Sequence, residues 1–419
     1  MVHVHGRVVS ERVTVGVPAW ERVAVPVDVG KHTAMAMVAD FAGERLVAPF
    51  VFPLDRRGIG ELVDRVARVV GERGVSRVEV GVEAAGHYHR PVTASGLLPA
   101  DWQLFELNPA HVTEQRRVLG KRGVKTDQID LVAIYDLLVA GRGLAAGRRD
   151  AALLELQAWT AMRFRRVTAV IAAKNQLLGQ MDRAFPGAGR CITASLCDTK
   201  IGRLVLAEFS DPTRLARMGA ERFRRFAAHR GVIVQRKVAQ RFVAAAKDAV
   251  PLDGAATARR LLTADLALLE TLERHVADAE AELARILPAT PFQVLTTTPG
   301  WGLVRAARYG AALGDPARWP TARQVYRAAG LSPRVYESAG RRVDGAITRE
   351  GSVELRGALL ELGMGLWLCD PVTRPAVAAL RARGKPAGVI ACALANRANR
   401  IAFAMVRDQL AYDPDRWRT

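Results

Sequence analysis

The sequence predicts an α/β domain with a mixed sheet, followed by a helical middle and a mainly helical C-terminal part. Three observations carry this. Short apolar runs alternate with helical spacings from Val23 to about Ala140. Two long segments, Leu153 to Met181 and Ala256 to Leu287, then keep an apolar stripe over many turns. From about Pro291 the chain breaks into shorter helical pieces punctuated by Gly and Pro. At 419 residues it is too long for one ordinary domain, and the shifts in character divide it at 1–149, 150–290 and 291–419.

Val23-Ala24-Val25-Pro26-Val27-Asp28-Val29 is a short apolar run, the signature of a central strand. His32 to Ala39 and Arg45 to Val51 are two further β-rich runs. Asp40-Phe41-Ala42-Gly43-Glu44 supplies turn chemistry between them, so the three form a meander. Ile59 to Val70 has helical spacing, with Leu62, Val66 and Val69-Val70 on one face. Arg77 to Glu83 alternates again and is a fourth strand; Trp102 to Leu107 is a fifth. Asp127 opens a helix that runs through Leu131 to Leu138.

In the middle part, Leu262, Leu266, Leu269, Leu272, Val276 and Leu283 recur mostly three and four apart. An intrachain bundle and a dimer seam of coiled-coil type both satisfy that stripe. Between the long helices, Arg214 to Lys247 carries ten basic residues and one acid, Glu221. Such a bias favours phosphate contact over a merely solvated face, with Arg222, Arg224, Arg225, Arg236 and Lys237 as candidates. The C-terminal part opens with Thr298-Pro299-Gly300-Trp301-Gly302 ahead of a helix over Leu303 to Leu313. Pro-Gly-x-Gly between helices is how helix-hairpin-helix units expose backbone amides to a phosphate, which nominates Gly300 and Gly302. A plain helix cap explains the same residues.

Lysine and arginine total 61 against 42 acids, a formal net charge of +19. An excess of that size and sign favours a polyanionic partner. No run of about 18 uncharged apolar residues is present, so no membrane span is expected. The start, MVHVHGRVVSERVTV, lacks the apolar region of a secretory signal. Cys191, Cys197, Cys369 and Cys392 have no zinc spacing and fit a reducing, cytoplasmic setting without disulfides.

Four carboxylates stand out. Asp28 sits near the end of an otherwise apolar strand, where a lone carboxylate is costly without a cation or donor. Glu83 closes a second strand. Asp127 and Asp130, in Lys125-Thr126-Asp127-Gln128-Ile129-Asp130, are three apart on one helix face. Hard oxygen donors suit magnesium or manganese, and paired ions of that kind serve phosphodiester chemistry. Strand-Asp, meander, strand-Glu, then Asp-x-x-Asp on a helix is the layout of a ribonuclease-H-like, RuvC-type core. His87 and His89 follow Glu83, where surface or capping roles are commoner than metal ligation.

With these residues in view, the chain resembles the DEDD transposases of bacterial insertion sequences, the family numbered one-ten, also called bridge-RNA-guided recombinases. The Piv invertases are relatives. The resemblance covers nearly the whole chain. It rests on Val27-Asp28-Val29-Gly30-Lys31, Val82-Glu83-Ala84 and the Lys125–Asp130 stretch, then on the Thr298–Gly302 motif and Ala329-Gly330-Leu331-Ser332-Pro333. Glu337-Ser338-Ala339-Gly340, Ile347-Thr348-Arg349-Glu350-Gly351 and Leu355-Arg356 complete it. In that family a serine of the C-terminal domain, usually in a Ser-Gly pair, is the nucleophile. The matching position is Ser338, although Ser338-Ala339-Gly340 departs from Ser-Gly; Ser332 competes and is less favoured because it precedes Pro333.

The resemblance implies strand cleavage and exchange through a phosphoserine link to DNA, aided by Mg2+ or Mn2+ at Asp28, Glu83, Asp127 and Asp130. It implies cations such as Lys31, Lys125, Arg341, Arg342 and Arg349 along the nucleic acid. It implies as partners donor and target DNA, an element-encoded guide RNA, and a homodimer assembling into a tetramer, with no membrane. No helix-turn-helix or zinc finger is evident, which fits a protein that leaves base reading to RNA and fits non-specific DNA binding equally. Two other readings stay open: a RuvC-like junction nuclease using water, and a non-catalytic nucleic-acid scaffold.

Overall fold

The structure is a computed structural model that describes residues 18–417 apart from 85, 95, 121–125, 147–149 and 339, and without the side chains of 342 and 344. The described chain begins with a meander, β1 (Arg22–Val29), β2 (Thr33–Asp40) and β3 (Arg45–Pro53). Helix α1 (Arg56–Arg73) follows, then β4 (Arg77–Glu83), the short α2 (Arg90–Ala94) and β5 (Gln103–Leu107). Next come α3 (Pro109–Val118), α4 (Asp127–Val139) and a two-residue β6 (Leu144–Ala145). The sheet order is β3-β2-β1-β4-β5-β6, antiparallel in the meander and at β6 and parallel across β1, β4 and β5. This is the mixed sheet with helices that the alternation predicted; β6 was too short to register as a periodic run.

Period-two burial explains the layers. Val23, Val25 and Val27 of β1 and Val78, Val80 and Val82 of β4 share one face, buried against Ile59, Leu62 and Val66 of α1. The alternate residues face α4 instead: Ala24 and Phe105 pack with Leu138. Gly81 belongs to this second face, where a Cβ would stand 3.1 Å from Leu138. Glu79, fully buried, is offset by Arg22 at 2.5 Å and Arg77 at 3.0 Å.

The remainder is mostly helical. Helix α5 (Ala151–Ala184) leads into α6 (Lys200–Glu208), α7 (Pro212–His229) and α8 (Arg236–Lys247), and α9 (Ala255–Ile286) returns. After α10 (Leu303–Leu313) and α11 (Ala322–Ala328), a hairpin of β7 (Pro333–Ser338) and β8 (Arg341–Ile347) precedes α12 (Val353–Cys369), α13 (Thr373–Ala382) and α14 (Ala387–Asp408). Helix α14 is long and apolar enough to cross a membrane by composition alone, yet 56% of its most apolar window is buried within the protein.

Two compact units result, and they interleave. The first takes the chain up to Asp150 together with Leu313–Arg356; the second takes Ala151–Ala312 and Gly357–Thr419. The sequence reading divided the chain consecutively, with 291–419 as one part. Side-chain contacts join the two stretches inside the first unit. Arg318 donates to Glu106 at 2.7 Å and to the Ala145 carbonyl at 2.9 Å, clipping the returning segment to the sheet.

Candidate active site and nucleic-acid interface

Asp28 and Glu83 stand at one edge of the parallel strands. The last paired residues of β1 and β4 are Val27 and Val82, so Asp28 and Glu83 come next, on neighbouring strand ends. By alternation both lie on the α4 face. The direction of α4 follows from its contacts. Leu138, near its C-terminus, packs on Ala24, whereas Ala133 and Ile134 pack on Leu107, the register partner of Glu83. Helix α4 therefore runs antiparallel to β1, and its first turn reaches the edge that holds Asp28 and Glu83.

That first turn carries Asp127 and Asp130, capped by the Thr126 hydroxyl, which accepts from the Ile129 amide. Both acids are favoured there by the helix dipole. Asp127 is exposed and Asp130 is buried. Arg116 of α3, which sequence spacing did not single out, stands 3.1 Å from the Asp130 carboxylate. The four predicted acids thus share an edge without forming a cage: among the described residues no three His, Cys, Asp or Glu side chains stand close enough to hold an ion. This differs from the four converged donors that spacing suggested; Asp130 faces the Arg116 guanidinium. Half-buried Asp28 and Glu83 and exposed Asp127 carry the hard carboxylate oxygens that a magnesium-sized ion prefers, but they are not gathered around one point. His89 lies 4.0 Å from Glu106, and exposed His87 stacks on Tyr88.

The same unit carries Ser338. It ends β7 and is exposed, paired with Arg341 across a turn in which Gly340 takes φ +77°. All six residues of β7 are exposed. Tyr336 pairs with Val343, so alternation puts Tyr336, Ser338 and exposed Arg341 on one face of the ribbon. Ser332 lies before the ribbon, half-buried, its carbonyl accepting from the Thr348 amide at 2.9 Å.

The surrounding glycine motifs anchor the ribbon's base. Gly351 sits where a Cβ would lie 2.1 Å from the Ala328 carbonyl oxygen. The Arg349 amide donates to the Gly330 carbonyl at 3.0 Å, and Arg356 donates to the Ala329 carbonyl at 3.0 Å. Arg349 itself is exposed with φ +57°, a conformation rare for a side-chain-bearing residue.

The remaining nucleic-acid candidates fall into three groups. Lys31, Arg222, Arg225, Arg236 and Lys237 are exposed. Arg224 is half-buried and spans Glu221 at 3.0 Å and the Val234 carbonyl at 3.2 Å, a latch within the α7–α8 hairpin. Lys125 and the Arg342 side chain lie outside the described residues.

Gly300 has a packing role. With φ +80°, its added Cβ would stand 2.4 Å from the Gly365 carbonyl oxygen, and buried Trp301 donates to the Leu362 carbonyl at 2.8 Å. Gly302 is exposed. Gly300→Ala should cost at least about 2 kcal/mol, because strain at positive φ and a backbone clash act together. A denaturant midpoint that stays at the wild-type value would contradict this packing role.

Comparison with known proteins adds the following. Residues 25–186 match the DEDD transposase family of the IS110 type, described as "Transposase". Residues 292–377 match "Transposase IS116/IS110/IS902 family". The "Insertion element IS110 uncharacterized 43.6 kDa protein" of Streptomyces coelicolor is 26% identical over 242 residues, 57% of this chain and 59% of that protein. A "Probable family 20 transposase" of Pseudomonas aeruginosa is 31% identical over 152 residues, 35% of this chain and 44% of that protein. The "Transposase for insertion sequence element IS1328" of Yersinia enterocolitica is 27% identical over 147 residues, 32% and 38% of the two chains. Each match spans less than two thirds of the relative's own length.

Proposed function

The chain belongs to the IS110 family of transposases, and from that premise we propose that it is an insertion-sequence transposase acting as an RNA-guided DNA recombinase. The observation that carries the reading is a shared unit. The carboxylate edge of Asp28, Glu83 and the first turn of α4 lies in the same compact unit as an exposed ribbon ending in Ser338.

In this reading the Ser338 Oγ attacks the scissile phosphorus. A serine-oxygen–phosphorus bond forms, a phosphorus–sugar-oxygen bond breaks, and the serine proton is balanced by the one the departing sugar oxygen gains. The phosphoserine link keeps the energy of the broken bond, so religation to a new strand needs no nucleotide. Asp28, Glu83 and Asp127, joined by Asp130 if it leaves Arg116, would hold a magnesium or manganese ion, which when bound would polarise the phosphate and stabilise the leaving oxygen. Arg341, in register with Ser338, offsets charge at the phosphate. Donor and target DNA are read through pairing with an element-encoded guide RNA, so the protein supplies backbone contacts and charge. In this reading two homodimers form the synaptic tetramer, while the apolar stripe of α9 is itself buried within the chain.

Mapping the covalent species tests this. The protein, its co-purifying RNA and labelled element-end DNA are incubated with magnesium, denatured and digested with trypsin. The expected nucleotide-bearing peptide is Val335–Arg341, which holds Ser338; a label on Ala328–Arg334 would move the role to Ser332. Cleavage with no covalent species at all would replace the serine mechanism with water as nucleophile.

A further inference from the structure

Within the second unit, α5 and α9 form an antiparallel stalk. Glu155 pairs with Arg285 at 2.7 Å, Arg163 with Glu280 at 2.7 Å, and Lys174 with Glu273 at 3.6 Å, so the two helices run past each other in step. At the end where α5 stops and α9 starts, α6, α7 and α8 build a head. Phe209, Phe223 and Phe242 fill its core, continuous with Leu177 of α5 and Leu266 of α9. The 34 residues of α5 make the stalk about 50 Å long. The head, with its ten-to-one basic bias over Arg214 to Lys247, falls between the two family-matched segments, 25–186 and 292–377.

The charge is organised around a concavity. Helix α7 breaks at Gly219, which takes φ +71° and ψ +165°, and the two pieces enclose a groove of about 550 Å³. Arg214 and Arg217 enter from the first piece and Arg222 from the second, with Phe226 behind. Arg214 is fixed by the Glu208 carbonyl at 2.9 Å and lies over the rings of Phe209 and Phe226. Within α6, α7 and α8, Glu208 pairs with Arg214 and Arg230, and Glu221 pairs with Arg224 and Arg236. Arg217 and Arg222 take part in none of these. One acid, Asp211, also lines the groove; Thr213 holds its carboxyl below the usual range, so it stays charged and offsets one of the three guanidinium groups.

We propose that this groove is a phosphate-gripping site through which the head holds the sugar–phosphate backbone of a nucleic acid, with Arg217 and Arg222 as the contacting cations. Three guanidinium groups around a solvent-open concavity suit bidentate contact with phosphate oxygens. A head at the end of a stalk reaches a stretch of polymer that a flat patch would not. The groove reads no bases, and the phosphates of RNA or of duplex DNA satisfy it alike.

The test uses the full-length protein in a chelator, so that binding is separated from cleavage and from the serine mechanism. Fluorescence anisotropy is followed against a labelled RNA hairpin and a labelled DNA duplex over a salt series. R217E/R222E should weaken binding to one or both by about tenfold or more and flatten the duplex salt slope by roughly 1.8. R217A/R222A should flatten it similarly without the added repulsion. Loss on RNA only, on DNA only, or on both identifies the polymer held. Unchanged affinity and slope on both probes would overturn the proposal. So would an equal loss in R383E/K385E, an exposed pair after α13 that removes the same charge elsewhere.

Discussion

Ser338→Ala is expected to abolish every covalent protein–DNA species and to lower strand exchange by about a thousandfold or more. The size follows from removing the nucleophile itself. The fold should tolerate the change, because all of β7 is exposed and Ser338 sits at its end, so stability should move by no more than about 0.5 kcal/mol. That separation makes the variant informative: a folded, DNA-binding protein that forms no adduct isolates the chemistry. Ser332→Ala is the internal control. Ser332 uses its backbone carbonyl, not its hydroxyl, to hold the Thr348 amide at the ribbon's base, so its loss should leave adduct formation within about twofold of wild type. An adduct that persists in Ser338→Ala would remove the serine mechanism from this ribbon. The metal edge would then be left to a water-using nuclease.

The sheet was legible because its strands obey a simple period. Val23 to Val29 and Arg77 to Glu83 alternate or run apolar, and two carboxylates at their ends stood out against that background. Once β1 and β4 pair in parallel, their register brings Asp28 and Glu83 side by side. Asp127 and Asp130 were legible from their spacing on a helix start. The partner of Asp130 was not, since Arg116 lies on another helix and nothing in a basic residue's local context announces a buried ion pair. The clip between Arg318 and Glu106 links positions 212 residues apart, beyond the reach of any periodicity. That contact is one of those that join the segment after Leu313 to the sheet within the first unit. Pro-Gly-x-Gly suits a phosphate cradle and a plain helix cap alike, and the close approach of Gly300 to the Gly365 backbone is a long-range contact that the motif does not announce.

Asp28→Asn should lower metal-dependent strand cleavage by about a thousandfold and should also erase stabilisation by the ion. The second readout does not depend on turnover. An ion that binds only the folded protein, present at a hundredfold excess over its Kd, adds about 2.7 kcal/mol to stability. Wild type should therefore melt at a higher temperature in magnesium or manganese than in chelator, and Asp28→Asn should melt alike in both. Glu83→Gln should behave the same way, since it occupies the adjacent strand end on the same face. Asp127→Asn should lose only part of the increment, because Asp127 is exposed at the helix start and its contribution is screened by water. An Asp28→Asn protein that keeps both cleavage and the metal-dependent rise in melting temperature would show that the edge of β1 and β4 does not hold the ion. The chemistry would then have to be sought away from the sheet.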